Sequence, residues 1–178
     1  MTISPTAGVP MPAAELDGFL REHAIDAPRH EHPAVMTCEE SDRLVPRLPG
    51  AKTKNLFLRD RKGKRHLLVT VPSERAVDLA MLGAALDAGR LGFASAERLQ
   101  RFLGIAPGSV SLVALVNDPE HAVEFVIDRA LWEADAIQVH PLVNTATVVL
   151  AHADLVRFVA ATGHSPRVID VPGAIAGK

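Results

Sequence analysis

The chain has 178 residues, 48% of them hydrophobic, and a formal net charge of −2. This content suits one domain with a substantial core and argues against extensive disorder. The lone cysteine, Cys38, excludes an internal disulfide framework and fits a reducing compartment. The first residues lack the basic head and apolar run of a signal peptide, and no apolar stretch reaches the length of a membrane helix. We therefore expect a cytoplasmic protein without membrane association.

Apolar spacing and turn residues predict a single α/β domain, with a mixed central sheet flanked by helices. We expect a flexible lead-in over residues 1–11, the domain over 12–172 and a tail over 173–178. Helices are predicted over residues 12–23, 37–44, 73–86 and 95–103 and from residue 154, with a short turn or helix at 130–133. Strands are predicted over residues 27–32, 56–58, 67–71, 110–117, 123–127, 136–141, 148–150 and 168–171, in an order that the pattern leaves open.

The stretch from Gly50 to Asp60 is the centre of this prediction. A loop signal precedes two lysines and a short apolar run, and a charged turn then joins that run to the strand over 67–71. The two strands are therefore predicted to form a hairpin. Lys54 falls where a strand meets a loop, which is a common place for binding and catalytic side chains.

Basic residues are concentrated around this hairpin. Nine lysines and arginines lie within residues 43–65 against one acid, Asp60, so this segment carries +8 while the rest of the chain carries −10. Such a patch is typical of a surface that binds a polyanion, and a solvated turn explains the charge equally well.

Two other groups of reactive side chains are better explained by structural roles. His30 and His32 alternate onto one face of the predicted strand over 27–32, but no third ligand or metal motif accompanies them, which favours exposed histidines. Cys38 falls in the first turn of the predicted helix over 37–44, where a helix dipole can activate a thiol. No histidine partner is apparent from the sequence, so packing is favoured over a nucleophile.

Three motifs in this order resemble one family. They are Lys-Asn-Leu-Phe-Leu over residues 54–58, Pro-Gly-Ser-Val over 107–110 before an apolar run that ends in Asn117-Asp118, and His-Pro-Leu-Val-Asn-Thr-Ala-Thr over 140–147. With them the chain resembles, over almost its whole length, the freestanding trans-editing deacylases of the YbaK/ProX type. These are relatives of the editing insertion domain of bacterial prolyl-tRNA synthetase. The pattern is closest to the branch that hydrolyses alanyl-tRNA carrying a proline anticodon.

The resemblance implies a mixed sheet with flanking helices, no metal or cofactor, and activity as an aminoacyl-tRNA hydrolase. It implies that Lys54 supplies a fixed cation to the adenosine phosphate, the ester carbonyl or the developing oxyanion. Backbone N–H groups of Gly108 and Ser109 would form an anion-binding turn beside it. His140 either contacts the substrate amino group or a water, or is hydrogen-bonded to the surrounding structure.

The predicted substrate-binding residues are Asn55, Asn144 and Thr147. Asn144 is equally suited to stabilise its own turn, and Thr147 either lines the pocket or supports the fold. The terminal ribose hydroxyl of the tRNA is a hypothetical activator of the attacking water, since no Ser-His-Asp order is apparent. A tight cavity would admit alanine and exclude proline. Contacts to acceptor-stem phosphates are predicted for Arg59, Arg61, Lys62, Lys64 and Arg65.

The predicted partner is the acceptor end of mischarged tRNA(Pro), and prolyl-tRNA synthetase and an elongation factor are candidate protein partners. One residue departs from the family pattern: Leu112 occupies the place of the usual proline in the glycine loop, which predicts a less rigid loop. Two alternatives stay open. One is the same reaction on cysteinyl- or seryl-tRNA, and the other is a non-catalytic module that binds tRNA or a synthetase.

Overall fold

The structure, a computed structural model, describes residues 10–174, so most of the predicted lead-in and the last four residues of the predicted tail lie outside the described residues. The helices are α1 (Ala13–Glu22), α2 (Cys38–Leu44), α3 (Leu79–Ala85), α4 (Ala96–Leu103), α5 (Arg129–Trp132) and α6 (His152–Thr162), and a 3₁₀ helix spans Leu112–Asn117. The strands are β1 (Arg29–Glu31), β2 (Ala51–Asp60), β3 (His66–Pro72), β4 (Leu91–Phe93), β5 (Val123–Asp128), β6 (Ala136–Val139), β7 (Ala146–Ala151) and β8 (Arg167–Ile169). Both described ends pack on the domain, since the Met11 N–H donates to Asn117 and Gly173 forms a bridge with Val77.

The strands form a mixed eight-stranded sheet in the order β1-β7-β6-β2-β3-β5-β8, with β4 paired to β2. Strand β2 pairs antiparallel with β3 from Thr53 to Arg59, which confirms the predicted hairpin. The other edge of β2 pairs with β6 at residues 51–52 and with β4 at residues 58–60. Between these two partners, within the described part of the chain, residues 54–56 have no strand beside them on that edge. The sheet therefore contains a gap, and Lys54 lies in it.

Alternating side chains of the central hairpin fill two cores, as strand geometry requires. Phe57 and Leu68 belong to the larger core, which also holds buried residues of α1, α4, α6 and the 3₁₀ helix. Leu58 and Leu67 belong to the smaller core together with Leu82 of α3. Helices therefore cover both faces of the sheet, as expected for strands that are apolar on both sides.

The run over residues 110–117 is not the central strand that the sequence predicts. Leu112–Asn117 is a 3₁₀ helix, and residues 112–116 are all buried. A uniformly apolar run has no periodicity that distinguishes a strand from a buried helix. Ser111 begins the helix because its Oγ accepts the Val113 N–H, and the Asp118 N–H closes the last turn on the Leu115 carbonyl. Both polar groups satisfy backbone atoms that a helical turn leaves unpaired, so the local chemistry favours the helix.

Two other predicted elements are shorter than expected. The helix predicted over 73–86 is limited to α3, because Asp78 caps it by accepting the Met81 N–H and the preceding Val77 is held against Gly173. The strand predicted over 27–32 ends at Glu31. His32 therefore leaves the strand, and its ring is free to contact a different part of the chain.

Gln138 on β6 fixes the point where β2 begins. Its Nε2 group lies within 3.3 Å of each of the carbonyl oxygens of residues 48–50. A Cβ atom on Gly50, whose φ is +92°, would come within 2.9 Å of the Ala136 backbone, so glycine is required there. These contacts hold the start of β2 against β6 and set the position of the gap.

Candidate active site

A cavity of about 250 Å³ opens at the gap in the sheet. Strand β2 forms one side, and the opposite walls come from residues 35–38, the first turns of α2 and the loop before the 3₁₀ helix. Four predicted site residues line it, namely Lys54, Asn55, Gly108 and His140. The fold thus brings together residues from three separate segments, as the three sequence motifs predict.

Lys54 is the uncompensated cation of this cavity. Its neighbour on the same face of β2, Lys52, also lines the cavity, but the Lys52 ammonium is paired with the Asp42 carboxylate. Within residues 10–174, no carboxylate lies within ion-pair distance of Lys54. Partial burial weakens the screening of its charge, so this ammonium acts more strongly on a bound anion than an exposed lysine would.

Asn55 is oriented by a residue on the neighbouring strand. Thr70 lies directly opposite it in the β2–β3 register, and the Thr70 hydroxyl donates to Asn55 Oδ1 at 2.6 Å. Thr70 is 0% exposed, so this hydrogen bond is protected from water. The bond uses the acceptor end of the amide and leaves its Nδ2 donor without an acceptor among the described residues. The site therefore holds a neutral, fixed donor next to Lys54.

His140 lies at the end of β6 with its two ring nitrogens in different roles. Its Nδ1 is 3.2 Å from the Ala146 carbonyl, which can only accept, so Nδ1 carries the proton. In the neutral ring Nε2 then has a free lone pair, for which residues 10–174 provide no donor. Burial lowers the pKa of His140, opposed by the hydrogen bond to Ala146 and reinforced by the nearby His32. His140 is therefore held neutral at pH 7.

His32, which the sequence pattern indicated as an exposed strand histidine, instead supports His140. The two ring centroids are 6.4 Å apart. His32 Nδ1 lies 2.8 Å from the Pro33 carbonyl, so Nε2 accepts from the Thr147 hydroxyl at 2.9 Å. Thr147 is buried and lines a pocket of about 30 Å³ behind His140 rather than the main cavity. Thr147 thus lies behind His140, and its role in substrate binding stays a prediction.

The predicted pair of anion-binding backbone groups is reduced to one. The Ser109 N–H donates to the Ala106 carbonyl at 3.2 Å, and Ser109 does not line the cavity. Gly108 does line it, with φ at +88°. Leu112, which stands where the family usually has proline, is fully buried at the start of the 3₁₀ helix, so core packing holds this loop.

Asn144 also lies behind the wall of the cavity. The Asn144 side-chain Nδ2 is 3.1 Å from the sulfur of Met36, and the Asn144 backbone carbonyl accepts the Val35 N–H at 3.1 Å. Both Val35 and Met36 line the cavity. A Cβ on Gly108 would come within 2.6 Å of the Met36 methyl carbon, so the glycine lets this wall approach the loop. Asn144 therefore supports a wall of the cavity, and its predicted contact with substrate stays a prediction.

The predicted basic surface divides into two parts. Arg65 is used within the fold: its guanidinium binds both oxygens of Glu124 at 2.7 and 2.9 Å and also donates to the Asp87 carbonyl. Hydrogen bonding from Arg65 lowers the pKa of Glu124, which keeps this pair ionised. Arg59, Arg61 and Lys62 instead line an open groove of about 390 Å³ together with Arg98, and Lys64 is exposed on the same turn.

Several residues of the site carry no motif in the sequence. Thr70 becomes recognisable only once the hairpin register places it opposite Asn55, and a correct register would have predicted it. Met36 gives no such signal, because its position depends on two distant loops.

Within the part of the chain that the structure describes, no helix is both long and apolar enough to cross a membrane. The same residues contain no cluster of three or more potential metal ligands.

The fold and the cavity define a single-domain α/β protein whose site combines an unpaired lysine, a fixed amide donor and a neutral histidine. Residues 32–158 match the family model of the aminoacyl-tRNA editing domain. The chain therefore belongs to this family, and both the predicted resemblance and the predicted mixed sheet with flanking helices are confirmed. Family membership also confirms the predicted class of enzyme, an aminoacyl-tRNA hydrolase.

Individual relatives agree with this assignment. The chain is 38% identical over 141 residues to the prolyl-tRNA editing protein ProX of Acetoanaerobium sticklandii, covering 79% of this chain and 86% of that protein. It is 38% identical over 161 residues to prolyl-tRNA synthetase associated domain-containing protein 1 of Mus musculus, covering 88% and 95%. A crystal structure described as a candidate trans-editing enzyme for prolyl tRNA synthetase shares the fold, with a TM-score of 0.65 at 21% identity over 97% of this chain and 100% of that one.

Proposed function

We propose that this protein hydrolyses the ester bond of alanyl-tRNA(Pro), releasing free alanine and tRNA. The observation that carries the proposal is the convergence of Lys54, Asn55 and His140 on one small cavity. Those three groups suit an aminoacyl ester, which presents a carbonyl oxygen that becomes negative and an ammonium group beside it. The name of one relative refers to prolyl-tRNA editing and that of another to prolyl-tRNA synthetase, and both names support the proline-specific tRNA.

Lys54 and Asn55 stabilise the oxyanion in this mechanism. Water attacks the ester carbonyl, the carbon–oxygen double bond becomes a single bond, and negative charge builds on the oxygen. The Lys54 ammonium and the Asn55 Nδ2 group, which both line the cavity, donate to that oxygen, and the bond from Thr70 orients Asn55 before substrate binds. Such preorganised donors each contribute on the order of 3–4 kcal/mol to transition-state stability. Collapse of the intermediate breaks the bond to the ribose oxygen.

The remaining steps use the substrate and His140. The neighbouring hydroxyl of the terminal ribose accepts a proton from the attacking water and passes one to the departing ribose oxygen. Neutral His140 presents the lone pair of Nε2 to the substrate ammonium, which a protonated ring would repel. The Ala146 carbonyl holds the imidazole through Nδ1, the hydrogen-bonded His32 and Thr147 lie beside it, and Gly108 lines the cavity next to the acyl group.

Selectivity for a small acyl group rests on the dimensions of the cavity. Its volume of about 250 Å³ is below the usual range for small-molecule pockets, which begins near 300 Å³. Val35, Met36 and Val110 supply apolar lining, and buried Val35 provides its rigid part, against which a larger acyl group would have to fit. Alanine fits this arrangement, and the ring of proline is excluded by size.

The partner of the site is the acceptor end of tRNA(Pro), with the exposed cations of the hairpin turn facing its phosphates. Names of the mammalian and fish relatives support prolyl-tRNA synthetase as a protein partner. The elongation factor and the cytoplasmic location remain predictions from the sequence alone.

The test is the deacylation of alanyl-, cysteinyl-, seryl- and prolyl-tRNA(Pro) by the purified protein at catalytic stoichiometry. We expect rapid loss of alanine, no loss of proline, and at least a hundredfold decrease in the rate for Lys54→Ala. Preference for cysteine or serine would keep the reaction and overturn the acyl specificity. Tight binding of all four tRNAs without turnover would contradict the proposed hydrolysis and would indicate a module that only binds tRNA.

A further inference from the structure

Phe93, on the short strand β4, is 63% exposed at the edge of the basic groove. A large apolar side chain of this exposure leaves most of its ring in water, and among the described residues it belongs to neither core. The groove beside it is lined by Arg59, Arg61, Lys62 and Arg98. An exposed ring among cations is the combination by which proteins bind single-stranded nucleic acid, because the cations bind phosphates and the ring stacks on a base.

The cations of this groove keep their charge. Across residues 10–174, none of the four forms an ion pair with a carboxylate. The one acid in the turn, Asp60, is occupied, since its Oδ1 accepts the backbone N–H groups of Lys64 and Arg65. Backbone hydrogen bonding from Arg65, opposed by burial, lowers the pKa of Asp60, so this carboxylate stays ionised and offsets only one of the charges around the turn. The groove therefore presents net positive charge to a ligand.

The groove is rigidly placed with respect to the cavity. Phe93 pairs with Leu58 on β2, the strand that carries Lys54 four residues earlier. Four strand residues span about 13 Å. One strand of stacked nucleic acid advances about 3.4 Å per nucleotide, so this span corresponds to about four nucleotides. An RNA whose esterified ribose lies at Lys54 would then place the fourth or fifth nucleotide, counted from its 3′ end, beside Phe93.

We propose that Phe93 is a stacking site for an unpaired nucleobase of the tRNA acceptor end, with Arg59, Arg61, Lys62 and Arg98 binding the adjoining phosphates. The occupant is single-stranded RNA near the 3′ end, because a ring next to phosphate-binding cations suits an unstacked base and duplex RNA hides its bases from such a contact. This proposal rests on the proposed function for the direction in which the RNA lies.

Two substrates separate the contribution of the groove from that of the cavity. An alanylated acceptor minihelix reaches both, whereas 3′-O-alanyl adenosine reaches only the cavity. We expect Phe93→Ala to raise KM for the minihelix about 5- to 150-fold, the range for loss of one base–aromatic stack, and to leave hydrolysis of the small ester unchanged. Phe93→Trp should retain minihelix binding. The matched control is Met81→Ala, which removes another exposed apolar side chain, 55% exposed on α3, and should change neither.

A binding experiment identifies the nucleotide and does not depend on catalysis. Fluorescence anisotropy with a 5′-labelled, eight-nucleotide RNA ending in CCA would compare an intact probe with one that is abasic at the fourth and fifth positions from the 3′ end. We expect the abasic probe to bind less tightly to the wild type, and equally to Phe93→Ala. Equal affinity of wild type and Phe93→Ala for the intact probe would overturn the proposal, as would a parallel loss of small-ester hydrolysis. If the wild type hydrolyses no ester, the proposed function fails while this experiment still decides the role of Phe93.

Discussion

The buried hydroxyl of Thr70 donates to the amide oxygen of Asn55 across the central hairpin, at 2.6 Å. The hydrogen bond determines which end of the Asn55 amide remains available in the cavity. An amide that rotates freely would present its oxygen to the developing oxyanion part of the time and repel it. Thr70 thus acts on the reaction through Asn55, without touching the substrate.

Removing this hydroxyl tests the relationship. We expect Thr70→Val to lower kcat for deacylation by about fivefold with little change in KM, since one hydrogen bond of about 1 kcal/mol orients the amide. Asn55→Ala should lower kcat by about a hundredfold, and the double variant should match Asn55→Ala because Thr70 then has nothing to orient. The measurement is single-turnover hydrolysis of alanyl-tRNA(Pro). Additive losses in the double variant would contradict the coupling.

Lys54 and Lys52 provide a matched pair on the same strand. Lys54→Ala should lower kcat by about a hundredfold to a thousandfold, because the unpaired cation is removed from the oxyanion. Lys52→Ala should cost less than about tenfold, since its charge is already offset by Asp42. Thermal unfolding of both variants would verify that the fold is intact. Similar losses for the two lysines would show that general positive charge, rather than the position of Lys54, supports the reaction.

The pH profile reports on His140. Its pKa is lowered in the folded protein, so KM should rise as the pH falls through a value below 6.5, when the protonated ring begins to repel the substrate ammonium. His140→Asn should raise KM at neutral pH and remove this dependence, while the titration of the substrate amino group remains in every variant. His23→Asn, at an exposed histidine on the far end of α1, is the control and should retain the wild-type profile.

The same shift affects stability. Because the unfolded chain binds the His140 proton more tightly than the folded chain does, this group's contribution to stability is complete above about pH 6.5 and decreases as the pH falls towards the folded pKa. Chemical denaturation from about pH 5 to pH 8 would measure it. His140→Asn should reduce the pH dependence of the free energy of unfolding, and an unchanged slope would contradict a lowered pKa.

The basic turn contains exposed cations, such as Arg61, and one arginine, Arg65, that is bonded within the fold. The double variant Arg61→Ala, Lys62→Ala should raise KM for alanyl-tRNA with kcat unchanged. It should also reduce the slope of log KM against log salt by about 0.7 for each single-strand phosphate that the protein no longer neutralises. Arg65→Ala should instead lower stability by about 1 kcal/mol through removal of its partly exposed pair with Glu124. Its salt slope should stay near that of the wild type. If Arg65→Ala also reduced the slope of log KM against log salt, Arg65 would belong to the tRNA-binding surface as the sequence predicts.

The sequence determined most of the elements and the family. The hairpin, the helices with capping residues such as Thr37 and Ser95, and the three motifs were all apparent from local patterns, because caps, turn residues and apolar spacing act within a few residues. The motifs also identified Lys54, Asn55, Gly108 and His140 before any contact among them was visible. Their convergence on one cavity follows from the fold that those motifs indicated.

Only the tertiary structure decided what depends on distant partners. Residues 112–117 form a helix because Ser111 caps its start and the Asp118 N–H closes its last turn, inside a core made by other segments. The apolar run alone carries no sign of these contacts. Arg65 has a structural role and Arg61 does not, because Arg65 binds Glu124, which lies 59 residues further along the chain. The Lys54 ammonium can reach a substrate because the sheet has a gap between β6 and β4. The Lys52 ammonium is instead paired with Asp42. Charge and residue type are properties of the sequence, whereas which charges remain uncompensated is a property of the packed chain.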